Sequence, residues 1–199
     1  MSARPRIVVA IDGPAASGKS STARWVAERL GYRHVDSGAL YRAVTLLALR
    51  EAGDPEAWTD AAVRALADRV TLSPVSGGFE PKLDGAPAGD AIRGVDVTRQ
   101  VSRVAQIGAV REWVNARVRG AGAEHDVVVD GRDIGTVVFP EAPLKIFLVA
   151  DPWERARRRL IQRLGRRPQD DEIADETEQV DRIVSLVRAC ERALEPGPG

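Results

Sequence analysis

Gly13-Pro14-Ala15-Ala16-Ser17-Gly18-Lys19-Ser20 has the spacing G-x-x-x-x-G-K-[ST], and the residues on either side decide how it is read. Before it, Ile7-Val8-Val9-Ala10-Ile11 is a short, largely β-branched apolar run of the kind that forms a buried parallel strand. After it, Ala23, Val26, Ala27 and Leu30 recur at helical spacing, and Gly31 stops the helix. A glycine-rich turn between a strand and a helix lets successive N–H groups converge on phosphate oxygens, with the positive end of the helix beneath them. In such a P-loop Lys19 lies along the β- and γ-phosphates and the Ser20 hydroxyl is a Mg²⁺ ligand.

Working outward, Arg33 to Val35 reads as a second strand, and Asp36 or Ser37 caps a helix through Leu40, Ala43, Val44, Leu47 and Ala48. Gly53-Asp54-Pro55 ends it, and a further helix is expected from about Glu56 with Val63, Leu66, Ala67 and Val70 on one face. From Thr71 to Asp96 helical spacing is lost, and Gly77-Gly78 and Asp84-Gly85 mark turns of a small antiparallel insertion. Helical spacing returns through Val101, Val104, Val110, Val114 and Val118, broken at Gly108 and closed by Gly120 and Gly122. Val127 to Val129 and Lys145 to Val149 read as central parallel strands. Asp151-Pro152 opens an Arg-rich helix, and Ile183, Leu186 and Val187 belong to a last one. Strands alternating with helices after a P-loop predict an α/β fold: a doubly wound parallel sheet with helices on both faces.

Composition narrows the function. The 199 residues are 44% hydrophobic, enough for one sizeable core carrying an inserted lobe. Twenty-nine basic and 29 acidic residues cancel, so no whole-chain field marks a nucleic-acid binder. Cys190 is the single cysteine, which fits a reducing, cytoplasmic setting. No signal-peptide core precedes the P-loop and no run of 18 apolar residues occurs, so neither export nor a membrane is expected. A guanine-reading Asn-Lys-x-Asp is excluded, because Asn115 is the only asparagine and Ala116 follows it. A small phosphoryl-transfer enzyme is the class that remains.

Three groups lie just after expected strands, where α/β sheets bind ligands: Asp36 to Arg42, Asp130 to Thr136, and Glu154 to Arg159. Arginines converging on a P-loop suit a second phosphate, the acceptor's. Asp130 reads either as a carboxylate holding Mg²⁺ through water or as a strand-end turn. Arg163, Arg166 and Arg167 read as a solvated face, and His34 and His125 as incidental.

On these residues the chain resembles the cytidylate kinases of the nucleoside monophosphate kinase group. Asp36 to Arg42, Ala142 to Gln162 and, most specifically, Gly131-Arg132-Asp133-Ile134-Gly135-Thr136-Val137-Val138-Phe139-Pro140 carry the likeness, over roughly residues 6 to 163. The resemblance implies transfer of the γ-phosphoryl of ATP to CMP or dCMP with Mg²⁺. It implies an ATP site at Gly13, Pro14, Ala15, Ala16, Ser17, Gly18, Lys19, Ser20 and Ser21, and acceptor contacts at Ser37, Arg42, Ser102, Arg111, Arg132, Asp133 and Arg192. Lys19, Arg132 and Arg158 are the implied catalytic residues, with Arg155, Arg158 and Arg159 opening a lid at about 155–172. The implied organisation is a P-loop core (1–70 and 97–199) with an inserted acceptor-binding lobe at 71–96.

The likeness breaks down toward the C-terminus. Arg192-Ala193-Leu194-Glu195-Pro196 keeps the tail of a family pattern, yet Ala189 stands where an aspartate belongs, and a final core strand and helix have no counterpart. Two readings follow: an active (d)CMP kinase, or a shortened relative that binds nucleotide without effective turnover. A monomer is expected, with an uncovered sheet edge as the route to self-association.

Overall fold

The computed structural model describes residues 5–150, 181 and 183–193, so the Arg-rich segment with Arg155, Arg158 and Arg159 lies outside the described residues. The fold is α/β with a mostly parallel central sheet, as the alternation of elements predicts. The chain divides into two compact units, residues 1–34 with 122–199, and residues 35–121.

The first unit is built on β1 (Val8–Asp12), flanked in parallel by β6 (Val127–Gly131) on one side and β7 (Leu144–Phe147) on the other. Every residue of β1 and β6 is buried, which is why both read as continuous apolar runs. β7 differs from expectation: its residues alternate between half-buried and exposed, and among the described residues it pairs with β1 alone. It is an edge strand of the described sheet, with Phe147 66% exposed. Against one face of the sheet lies α1 (Lys19–Leu30), closed by Gly31 in the left-handed region at φ 69°.

Val9, Ile11, Val26, Ala27 and Val128 form a core joined by Ile183, Val184 and Val187 of the helical segment 183–193. Burying each large aliphatic side chain of this kind contributes about 1.5–3 kcal/mol. The stripe is not the expected one, because Val184 faces inward and Leu186 is 46% exposed. An Arg29–Asp181 ion pair and a hydrogen bond from Tyr32 Oη to Glu191 also join this segment to the unit.

The second unit opens with α2 (Ser37–Glu51), capped by Asp36, whose Oδ1 accepts from Ala39 N–H at 3.1 Å. A single 3₁₀ turn, Pro55–Ala57, follows, and α3 starts at Asp60 rather than near Glu56, because Thr59 caps it by accepting from Ala62 N–H at 3.2 Å. α3 (Asp60–Ala67) stops before Val70, which opens β3 (Val70–Val75). β3 pairs antiparallel with β4 (Gly78–Leu83), which pairs with the two-residue β5 (Ala86–Pro87). The turns are where Gly77-Gly78 and Asp84-Gly85 announced them, with Gly77, Asp84 and Gly85 all at positive φ.

Helices α4 (Val95–Val104) and α5 (Gly108–Glu124) break at Gly108 as expected, but Gly120 and Gly122 do not end the segment; α5 runs through both. At Gly122 the reason is a close approach. A Cβ there would lie 2.7 Å from Phe139 Cζ and 3.3 Å from Val8 Cγ2, so only glycine lets the helix meet that ring.

Candidate functional site

In the first unit, residues 13–18 wrap tightly between β1 and α1. A Cβ on Gly13 would stand 2.5 Å from the Leu148 carbonyl oxygen, so this position admits no side chain. Gly18 has φ 86°, and Ala16 holds φ 61°, a left-handed conformation that costs a residue with a side chain about 1–3 kcal/mol and that concentrates at ligand sites. Ser17 is buried, and its Oγ has no hydrogen-bond partner among the described residues. An orphaned hydroxyl inside a tight glycine-containing loop at the start of a helix fits an anion. Lys19 Nζ donates to the Pro14 carbonyl at 3.1 Å, folding its charge over the same loop.

The next layer comes from the end of β6. Asp130, 1% exposed, accepts from Ser20 Oγ through Oδ2 at 2.6 Å, while its Oδ1 lies 2.7 Å from His34 Nε2. His34 is therefore not incidental; it is buried and fixes the carboxylate that meets the P-loop serine. Nothing local in the sequence marks it, since β2 (Arg33–Asp36) brings it to a residue 96 positions away. Among the described residues no group of three or more His, Cys, Asp or Glu side chains could cage a metal. Ser20 and Asp130 offer two oxygens, which suits Mg²⁺ arriving with nucleotide phosphates rather than a resident ion.

Beyond Asp130, Arg132 is exposed and Asp133 half-buried, at the start of a π-type turn, Ile134–Val138. Asp12, at the end of β1, is 7% exposed and takes two consecutive N–H groups of that turn: Ile134 N–H on Oδ1 and Gly135 N–H on Oδ2, both at 2.8 Å. In the sequence Asp12 is marked only as a carboxylate ending an otherwise apolar strand.

The second unit carries the other expected acceptor residues. Ser37 is buried at the start of α2, and Arg42, one turn on, donates from Nη1 to Thr98 Oγ1 of α4 at 3.3 Å. Asp36, besides capping α2, pairs with Arg93 at 3.5 Å. Thr98 and Arg93 are additions to the expected set. Ser102 on α4 and Arg111 on α5 are exposed. Arg192, in the helical segment of the first unit, is also exposed.

Among the described residues no helix is long and apolar enough to cross a membrane. The family model described as cytidylate kinase matches residues 9–190. The chain is 48% identical over 157 residues to the cytidylate kinase of Chlorobaculum tepidum, covering 77% of this chain and 65% of that protein. It is 47% identical over 175 residues to the cytidylate kinase of Rhodococcus jostii, covering 85% and 74%. A bifunctional pantoate ligase/cytidylate kinase of Prochlorococcus marinus is 41% identical over 98% of this chain and 41% of its own length. The chain thus spans about two thirds to three quarters of the single-function relatives. With a P-loop, a Ser20–Asp130 hydrogen bond and the Gly131-to-Pro140 string in one unit, and a family model matching from β1 to the last described helix, this chain belongs to the cytidylate kinase family.

Proposed function

We propose that the chain is an ATP:(d)CMP phosphotransferase that moves the γ-phosphoryl of ATP to the phosphate of CMP or dCMP, giving ADP and (d)CDP. The observation that carries this reading is the hydrogen bond from Ser20 to the buried carboxylate of Asp130. It sets a P-loop ready for nucleotide two residues from Arg132, at the end of a central strand.

The reaction needs no covalent intermediate on the protein. An oxygen of the acceptor phosphate attacks the γ-phosphorus, the bond to the β-phosphate oxygen breaks, and ADP leaves. Gly13 to Ser21 hold the donor phosphates through backbone N–H groups and the Ser17 and Ser20 hydroxyls. Lys19 leaves the Pro14 carbonyl to lie along the β- and γ-phosphates, where charge builds in the transition state. Ser20 and Asp130 hold Mg²⁺, which when bound neutralises phosphate charge.

Arg42 and Arg132 clamp the acceptor phosphate, Ser37 completes its cradle, and Arg158 covers the transferring group. Asp133, Ser102 and Arg111 read the base: cytosine offers an amine to a carboxylate and acceptors to an arginine, whereas uracil turns a carbonyl toward the carboxylate. Arg192 contacts the sugar side. The lobe around β3 to β5 serves the acceptor, and the enzyme works as a cytoplasmic monomer. The phosphate-cradling parts are all present, which favours turnover over binding alone.

The test is a coupled assay for ADP release with CMP, dCMP, UMP and AMP as acceptors. CMP and dCMP are expected to outpace the others by at least ~10-fold in kcat/KM, the scale at which a mispaired buried polar group is rejected. ADP release that is equal for all four acceptors, or absent with CMP and dCMP, would overturn the reading.

A further inference from the structure

We infer that Asp12 is a positioning residue for the acceptor: its buried carboxylate anchors the turn that carries Arg132 and Asp133 to the strand that carries the P-loop. The inference rests on the acceptor role proposed above for those two residues.

Three bonds converge on one amino acid. The side chain accepts from Ile134 N–H and Gly135 N–H at 2.8 Å each, and the Asp12 carbonyl accepts from Leu148 N–H at 2.7 Å. The first two partners sit 122 and 123 residues away in sequence, directly after Arg132-Asp133. Two consecutive N–H groups aimed at one point make the kind of concavity that binds an anion; here the chain fills it with its own carboxylate.

Two buried N–H groups need an acceptor here, and one carboxylate serves both. At 7% exposure, the group is desolvated for those two hydrogen bonds. An apolar side chain would continue the pattern of β1 but leave both N–H groups without a partner. What the carboxylate adds is geometry. Two parallel bonds define both the distance and the orientation of the turn, so the base of the P-loop and the start of the acceptor loop share one rigid reference. Phosphoryl transfer is governed by such placement, since a misplacement of 1 Å can cost about 10²-fold in rate.

The experiment compares wild type with Asp12→Asn, which keeps the shape but offers one acceptor, and Asp12→Glu, which keeps both acceptors and moves them by one methylene. Amide hydrogen exchange at Ile134 and Gly135 reads the anchor, and calorimetric titration with CMP and with ATP reads the two sides separately. Steady-state kinetics reads the consequence. In Asp12→Asn we expect exchange at these amides to rise about tenfold or more. In the same variant CMP affinity and kcat/KM for CMP should fall by about 10²-fold while ATP affinity stays within about threefold.

Should Asp12→Asn not fold, the Glu variant is expected to show the same one-sided loss. Equal losses for CMP and ATP, or unchanged CMP binding despite faster exchange, would overturn the anchor. A wild type without turnover would refute the proposed function, while the CMP-to-ATP affinity ratio would still decide the anchor.

Discussion

The candidate-site residues of the two units hold their charged groups in different ways. Around the P-loop, Asp12, Asp130 and His34 are buried, and their bonds to one another and to Ser20, Ile134 and Gly135 span 2.6–2.8 Å. In residues 35–121 Arg42 reaches Thr98 at 3.3 Å and Arg93 reaches Asp36 at 3.5 Å, with Arg93 54% exposed. Short, desolvated contacts preorganise a site, whereas a long, exposed contact such as Arg93–Asp36 costs little to break.

The largest effect expected from this contrast follows Lys19→Ala, which should leave a folded protein with phosphotransfer reduced at least ~10³-fold, because a point charge on the β/γ-phosphates acts mainly on the transition state. Turnover close to wild type, with circular dichroism unchanged, would remove the P-loop from the mechanism. Next come Arg42→Ala and Arg132→Ala, each expected to lower kcat/KM for CMP by ~10²-fold while ATP affinity changes little. Lysine at either position should restore only part of the loss, lacking the two-pronged guanidinium. Calorimetry showing lost ATP affinity with intact CMP affinity would mean that donor and acceptor sides are reversed.

A smaller effect tests burial itself. His34→Leu removes a partner of buried Asp130 and should cost about 1–3 kcal/mol in urea unfolding, the penalty for an unsatisfied buried polar group. Thr98→Val, which deletes the long contact to Arg42, should stay within about 0.5 kcal/mol. Comparable costs for the two would erase the distinction between the units.

The smallest effect concerns the hairpin. Arg69 donates to Asp84 through Nε at 2.8 Å and Nη2 at 2.6 Å, and also to Glu51. The hydrogen bonds from the Arg69 guanidinium hold the Asp84 carboxyl below its ordinary value of 3.8, and having Asp84, then Glu51, as acceptors raises Arg69. A depressed carboxyl stabilises the fold above its unfolded-state pKa, and that contribution is lost as pH falls through the lower folded-state value. Asp84→Asn should therefore lower the melting temperature slightly at neutral pH, with the difference from wild type vanishing in strong acid. Because the pair is exposed, salt should shrink the difference further. A difference that persists in acid would show that the carboxyl's charge is not its source.

Much of this was readable from neighbouring residues. The P-loop, the flanking strand and helix, Gly31 as a stop and the Asp84-Gly85 turn are local, since each depends on a few consecutive side chains and their backbone preferences. The Gly131-to-Pro140 string that marks the family was readable for the same reason. Local signals were misleading where a distant partner decided the outcome. Glycines usually end a helix, yet Gly122 sits within α5 because Phe139 packs where a Cβ would be. The apolar run through β7 reads as central, yet its exposure alternates and among the described residues it pairs with β1 alone.

The sequence by itself determined the phosphate loop, the class of chemistry and the order of strands and helices, because periodicity and turn chemistry act over a few residues. Only the tertiary structure decided which charges are buried and to what they are tied. It set His34 against Asp130 across 96 positions, Ser20 against Asp130 across 110, and Asp12 against the Ile134 and Gly135 amides across more than 120. No periodicity encodes such pairs. The Asp12 and Ser20 pairs form because parallel strands β1 and β6, distant in sequence, lie side by side in register, and His34 reaches Asp130 from β2; a polar group carried into that dry layer must find its partner there.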